Sequence, residues 1–418
     1  MGLTPVSSSA SRLLLLLPTT TYRTEAFVEA ATRLGVELVC ASERPSTFEP
    51  LAPDSLITLD FTDPRASADT IARFAQRRPI DAVVPVDDLT TVVAATISQR
   101  LGLKANSLSA VTTARDKHAM RRCLAEAGVP VPRFRLVPLA DDPAARAAEI
   151  EYPCVLKPLS LSASRGVIRA NDAREFVAAF RRISAILEIT DVTLPDEARR
   201  ALLVEEFIPG VEVALEGLLV GGTLHVLAIF DKPDPLDGPF FEETIYVTPS
   251  RLPEAMQTRV AAVSRDACAA LGLTEGPIHA ELRLNERGPF VLEVAARSIG
   301  GLCSRTLTFG TGLSLEEVIL CHALGRPLAS LERERRAAGV MMIPIPRAGR
   351  LAAVHGTDEA AAIDGIEEVA ITMHPGQDVV PLPEGWQYLG FIFARAETPD
   401  RVEQALRKAH ARLHFAIE

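Results

Sequence analysis

Residues 278–297, "IHAELRLNERGPFVLEVAAR", constrain this chain more than any other stretch. Apolar residues alternate with charged ones on both sides of a turn-like "NERG", which is the pattern of an antiparallel ribbon with one face in a core. A ribbon centred on Arg287 sets Glu281 directly opposite Glu293. In that register His279, Glu281 and Arg283 share a face with Val291, Glu293 and Ala295, while Ala280, Leu282 and Leu284 face the core with Leu292 and Val294. Two carboxylates so opposed lie about 5 Å apart. At an effective dielectric near 20 they repel by roughly 3 kcal/mol. The strand therefore requires cations. One solution is a shared divalent ion, since carboxylate oxygens completed by water and phosphate suit Mg²⁺. The other is a surface ribbon in which Glu281 pairs with Arg283 and Glu293 with Arg297. The ribbon alone is compatible with both.

The rest of the chain narrows the context. At 418 residues it exceeds one compact core and is expected to divide into two to four domains. Nearly half of its residues are hydrophobic, which excludes a disordered chain. A formal net charge of −10 without a dense Lys/Arg block speaks against nucleic acid or an anionic membrane as partner. The run at residues 13–17 is too short to span a bilayer and reads as a buried first strand. Residues 1–11 read as a loose tail. Six scattered cysteines with no C-x-x-C spacing fit reduced thiols in a cytoplasmic protein.

"RLLLLLPTTTYRTEAFVEAATRLGVELVCASE" reads strand, loop, helix, strand, and "PIDAVVPVDDLTTVVAATISQRLGLKAN" repeats strand, acidic loop, helix. Alternation of this kind predicts a parallel sheet covered on both faces. No G-x-G-x-x-G follows the first strand, so this Rossmann-like unit is mainly scaffold. One helix is expected from about Ser109 to the stop at Gly128. Beyond it lie antiparallel strands turning at Pro209-Gly210 and Gly221-Gly222, a helix over 254–271, the ribbon at 277–296, a helix over 314–324, and a tail with its own strands and a helix near 398–412.

Two lysines stand where an anion would have to meet them. Lys117 lies early in a helix, and Lys157 ends an apolar strand, a costly position without a partner. Between Ser160 and Gly166, "SLSASRG" is a small-residue loop whose N–H groups can close around phosphate oxygens. "LLVEEFIPGVEV" runs into Glu205-Glu206, turns, and leaves past Glu212. It is either a hinge presenting its backbone to a base or a hairpin with solvated acids. His279 is either a satisfied core histidine or a phosphate ligand. In "DKPDPLDGPFFEET", Glu242 and Glu243 either close over a substrate or sit on a mobile surface turn.

The order of these pieces resembles the ATP-grasp superfamily: lysine, lysine with a small-residue loop, Glu-Glu-aromatic-aliphatic hinge, paired acids followed by arginine. Within it, "HAELRL", "LEVAARSIGG" and the tail after residue 330 resemble the bacterial L-amino-acid ligases, or dipeptide synthases. The resemblance implies an α/β and α+β multidomain chain. Residues 1–113 would form a Rossmann-like N-terminal domain, 114–204 the small ATP-grasp subdomain with its lid, 205–328 the large subdomain with the metal site, and 329–418 a C-terminal α+β domain. It implies an ADP-forming carboxylate–amine ligase using ATP and Mg²⁺ or Mn²⁺, acting on small-molecule carboxylates and amines, with homodimerisation common among relatives. An ATP-grasp ligase of purine or cofactor biosynthesis, or a nucleotide-binding protein without turnover, are the alternatives.

Carried over residue by residue, Lys117 and Lys157 would hold the ATP phosphates, and Ser162, Ser164 and Gly166 would form the lid. Glu205, Glu206, Phe207 and Ile208 would bind adenine and Glu212 ribose. Lys232 or His279 would add a phosphate contact. Glu281 and Glu293 would bind metal, Arg297 would steady the acyl phosphate, and Ser298, Gly300 and Gly301 would approach the carboxylate substrate. Two departures stand out. Ala295 occupies the place of the family's usual asparagine, and the lid lacks the usual run of glycines.

Overall fold

The computed structural model describes residues 11–189, 197–328 and 330–418. Residues 1–10 of the expected tail lie outside the described residues. The first unit is a four-stranded parallel sheet in the order Leu56–Thr58, Glu37–Ser42, Arg12–Leu16, Ala82–Pro85. Its leucine run explains the double cover. Leu14 and Leu16 pack on one side with Ile71, Phe74 and Ile97. Leu13 and Leu15 pack on the other with Ile299, Leu302 and Val318 from the second half of the chain. A strand buried on both faces reads as an unbroken apolar run. The loops at the carboxyl ends of these strands carry Thr21 and the acidic pair Asp87-Asp88 toward the molecule's main cavity.

A second antiparallel sheet has the order Phe134–Pro138, Ala201–Glu206, Cys154–Pro158, Ile168–Ala170. The helix Ala173–Ile189 buries Phe176, Phe180, Ile183 and Leu187 in the core beneath it. The third sheet has eight antiparallel strands. From the edge, these are Gly288–Ala295, Gly276–Asn285, Val211–Val220, Thr223–Lys232, Ile245–Thr248, Ala337–Ile343, Gly390–Ala396 and Ile366–Ile371. The pairing of Ile245–Thr248 with Ala338–Met341 carries this sheet across the 328/329 boundary, so the tail extends the central sheet. The expected boundaries at 113/114 and 204/205 likewise fall inside the helix Leu108–Arg115 and the strand Ala201–Glu206. The helix Pro399–His410 covers the far end of the large sheet.

Three sequence expectations are corrected in detail. The single helix before Gly128 is two, Leu108–Arg115 and Lys117–Glu126. Asp116 breaks it: in extended backbone, its carboxylate accepts from the Ala119 N–H at 2.7 Å and caps the second helix. Lys117 thereby becomes the first residue of a helix.

The ribbon turns over two residues, with Asn285 opposite Gly288, so its centre is not Arg287. Leu282 then faces Val291, and a bulge at Leu292 restores Glu281 to a place opposite Glu293. As a result Val291 belongs to the core, while Leu292 faces the cavity, the reverse of the expected assignment. The surface pairing is also not formed: Arg283 pairs with Glu212 and Arg297 with Asp88. All six cysteines are free thiols. No helix among the described residues is long and apolar enough to cross a membrane.

Candidate active site

A cavity of ≈ 630 Å³ opens between the N-terminal sheet, the small sheet and the large sheet. Among the expected site residues, Lys117, Lys157, Ser162, Ser164, Glu205, Glu206, Phe207, Ile208, Glu212, His279, Glu281, Glu293, Arg297, Gly300 and Gly301 line it. Gly166, Lys232 and Ser298 do not line it. The Gly166 N–H is bonded to the Pro383 carbonyl at 2.9 Å, the Lys232 ammonium lies buried behind the wall, and the Ser298 hydroxyl accepts from Arg23 at 2.7 Å.

The ribbon's two acids hold different cations. Glu293 accepts from the Lys117 ammonium at 3.2 Å, and Lys117 also reaches the Leu161 carbonyl at 2.9 Å. Helix start, ribbon acid and lid loop therefore meet at one ammonium. Glu281 accepts from Lys232 at 2.9 Å. Lys232 also binds Glu212 at 2.8 Å, and Glu243. One oxygen each of Glu212, Glu243 and Glu281 falls within 4.8 Å of the others. Burial drives Glu281 toward its neutral form, but Lys232 and His279 overcome it and hold the carboxyl well below its usual range. Glu243 goes the other way: burial and the nearby Glu281 charge lift it to about 7 against the pull of Lys232. His279 is buried beside Glu216, whose charge overrides the effect of burial and raises the imidazole to about 9. It is thus a paired cation on the cavity wall.

On the ribbon's other side, a buried chain of charges reaches from its backbone to Lys157. Arg121, fully buried, donates to the carbonyls of Val291 at 3.1 Å and Leu292 at 2.6 Å, the two residues at the bulge. Its Nε donates to Glu205 at 2.5 Å, and the other Glu205 oxygen binds Lys157 at 2.6 Å. Burial would neutralise Glu205, but the two cations hold it down at about 2. Glu205, expected at adenine, lines the cavity and pairs there with Lys157. Arg283 takes the second Glu212 oxygen at 3.1 Å and the Ile208 carbonyl at 2.8 Å, and lies 5.0 Å from the Phe207 ring centre. Phe207 carries the Arg169 guanidinium at 4.0 Å on its ring.

Arg297 projects from the end of the ribbon and donates to Asp88 at 2.7 and 3.1 Å. Burial works against its charge, and Asp88 more than offsets that, so its pKa is raised. Asp88 is the first residue of the helix Asp88–Leu101 that follows the last N-terminal strand, so this pair joins the N-terminal unit to the ribbon.

The family model for the ATP-grasp N-terminal domain matches residues 28–103, that for the ATP-grasp domain residues 150–306, and that for the L-amino acid ligase C-terminal domain 2 residues 341–418. The chain belongs to the ATP-grasp superfamily. The crystal structure of an L-amino acid ligase from Bacillus licheniformis is 26% identical, with a TM-score of 0.78 over 98% of this chain and 99% of that one. The alanine–anticapsin ligase of Bacillus subtilis is 28% identical over 263 residues, 60% of this chain and 55% of the ligase, so this chain spans about half the length of that relative. An uncharacterised protein of Sinorhizobium fredii is 27% identical over 424 residues, covering 100% of this chain and 85% of that one. Both of the relatives with a named activity are ligases.

Several residues that shape this cavity carry little signal in the sequence. Asp88 was visible only as part of an acidic loop, because its partner lies 209 positions away. Arg121 lies within the helix Lys117–Glu126, where its sequence neighbours give no sign of burial. The sequence left Glu243 open between a substrate contact and a surface acid, and it proves to be an inner acid held by Lys232. Lys232, a candidate phosphate contact, pairs with three carboxylates.

Proposed function

We propose that this protein joins two amino acids through an amide bond, converting ATP to ADP and phosphate by way of an acyl phosphate. The observation that carries this reading is the direct opposition of Glu281 and Glu293 on one cavity-lining ribbon, with Lys117 on Glu293 and Arg297 four residues further on. The match of the tail to the L-amino acid ligase C-terminal domain favours amino acids over the substrates of purine synthetases. In the first step a carboxylate oxygen attacks the γ-phosphorus and the bond to ADP breaks. In the second an amine nitrogen attacks the acyl carbon, the bond to phosphate breaks, and the amine loses a proton. Such chemistry is served by charge neutralisation and positioning rather than by a side-chain nucleophile.

Lys117 and Lys157 hold the phosphate oxygens, each pre-aimed by a carboxylate. The Phe207 region receives the adenine and Glu212 the ribose. Arg297 has a substrate carboxylate or acyl phosphate as natural successor to Asp88. The acids fit a hard divalent cation such as Mg²⁺ or Mn²⁺: the donors are all oxygens, they are opposed across one strand pair, and Glu281 is held ionised despite burial. Glu281 and Glu293 would hold it, with Glu212 and Glu243 the next acids inward. When bound, the ion neutralises charge on the terminal phosphates. With small-molecule substrates and free thiols, the protein is assigned to the cytoplasm. The testing experiment is phosphate release across pairs of amino acids with product masses read directly; amide product and stoichiometric ADP are expected. Phosphate release that ignores the amine would overturn the reading.

A further inference from the structure

Part of the cavity wall is apolar and aromatic, beside the acid cluster: the Lys232 ammonium lies 5.0 Å from the Tyr246 ring centre. Tyr246, Ile299, Cys303 and Met342 line the cavity there, and all four belong to one core cluster with Phe391. Tyr388 also lines the cavity and stands edge-on to Phe391 at 5.9 Å. Ile299 follows Arg297 by two residues, so this wall adjoins the reacting centre. Trp386, the chain's single tryptophan, two residues before Tyr388, also lines the cavity.

Trp386 rides on a strap, residues 381–388, fixed at both ends. Its turn closes through the Gly385 N–H on the Pro381 carbonyl at 2.8 Å. A Cβ at Gly385 would lie 1.8 Å from the Val380 carbonyl oxygen, so only glycine fits beside Trp386. On one side the Leu389 N–H ties the strap to the Ile343 carbonyl at 2.9 Å in the large sheet. On the other, the Pro383 carbonyl accepts from the lid residue Gly166 at 2.9 Å. Glu384 accepts two bonds from Arg182 of the small subdomain's helix, at 2.6 and 2.9 Å.

We propose that Trp386 is a specificity-determining residue that receives the apolar side chain of one amino-acid substrate, and that its strap couples this choice to the nucleotide lid. The inference rests on the reading under Proposed function. An aromatic and thioether wall beside the acyl centre gains from an apolar side chain and nothing from glycine. Because strap and lid share the Gly166–Pro383 bond and the Arg182–Glu384 pair, a side chain that seats Trp386 also favours the closed lid.

The test uses the full chain with MgATP and L-leucine, L-phenylalanine or glycine. Trp386 fluorescence is expected to change saturably with L-leucine or L-phenylalanine and not with glycine. Trp386→Ala is expected to raise the KM for the apolar amino acid by about ten-fold, as loss of an apolar pocket wall does, while the KM for ATP measured with glycine moves less than about two-fold. Trp386→Phe should restore most of the loss, which a folding defect would not allow. Arg182→Ala, outside the cavity, should raise the KM for ATP by about two- to five-fold, the scale of a well-formed exposed ion pair, and abolish its dependence on the amino acid. An unchanged amino-acid KM in Trp386→Ala, or an ATP KM indifferent to Arg182→Ala, overturns the proposal even where wild-type turnover is sound. Absence of phosphate release with every amino-acid pair overturns the functional reading itself, and this inference with it.

Discussion

Glu281 and Glu293 face each other across neighbouring strands only because a bulge at Leu292 inserts one residue between the turn and the acids. Without it, the two-residue turn would set Glu281 opposite Leu292 and send Glu293 to the other face. The carbonyls of Val291 and Leu292 at that bulge are both held by Arg121, which also anchors Glu205 and, through it, Lys157. One buried guanidinium therefore fixes the geometry of a candidate metal ligand and of a candidate phosphate ligand together.

Arg121→Ala should be among the most destabilising single changes in the chain. It leaves Glu205 buried with Lys157 alone and frees two carbonyls. Breaking a buried pair from one side costs about 3–5 kcal/mol. Denaturant unfolding would register this as a lowered midpoint with an unchanged slope. A loss within the noise would show that the bulge holds itself.

Arg297→Ala should lower kcat by about two to three orders of magnitude, as the loss of a donor to developing charge does, with the KM for ATP changed only a few-fold. Steady-state kinetics at saturating ATP separates the two quantities. Equal losses in both would move Arg297 out of the acyl-transfer step and into nucleotide binding. Asp88→Asn should act in the same direction more weakly, since it releases the guanidinium without removing it.

Acid stability carries a signature of Glu205. Its folded pKa is depressed to about 2 from an ordinary 4.5. A depressed carboxylate contributes stability that is complete above its unfolded pKa and is lost as pH falls toward the folded value. The window is thus about pH 4.5 down to about pH 2, and the contribution is on the order of 3 kcal/mol. Unfolding midpoints measured across that window should fall more steeply in wild type than in Glu205→Gln. Parallel curves would mean that Glu205 does not titrate as its partners dictate.

Much of this arrangement was legible in the sequence. The leucine run and the lysine ending an apolar strand each state a local requirement, and the antiparallel ribbon shows which of its residues share a face. Glu281 and Glu293 were paired correctly, although from a turn centred one half-residue away, and the bulge made up the difference. What could not be read were contacts closed over long separations. Asp88 meets Arg297, Lys232 meets three acids, and Arg121 meets a bulge, and in each case the helix or loop pattern around the residue is that of an ordinary exposed charge. Pro383 meeting the lid is of the same kind: a backbone carbonyl carries no mark in the sequence. Periodicity specifies which face a residue takes, not which distant charge waits there.

The most direct test of the shared-ion claim is Glu293→Gln, measured for Mn²⁺ binding in the presence of a non-hydrolysable ATP analogue and for phosphate release with an active amino-acid pair. The substitution keeps volume and removes only the charge that Lys117 and the ion would share. Lost Mn²⁺ binding, turnover at background and an unfolding transition still as cooperative as that of wild type are predicted. Near-normal turnover with Mn²⁺ still bound would contradict the account.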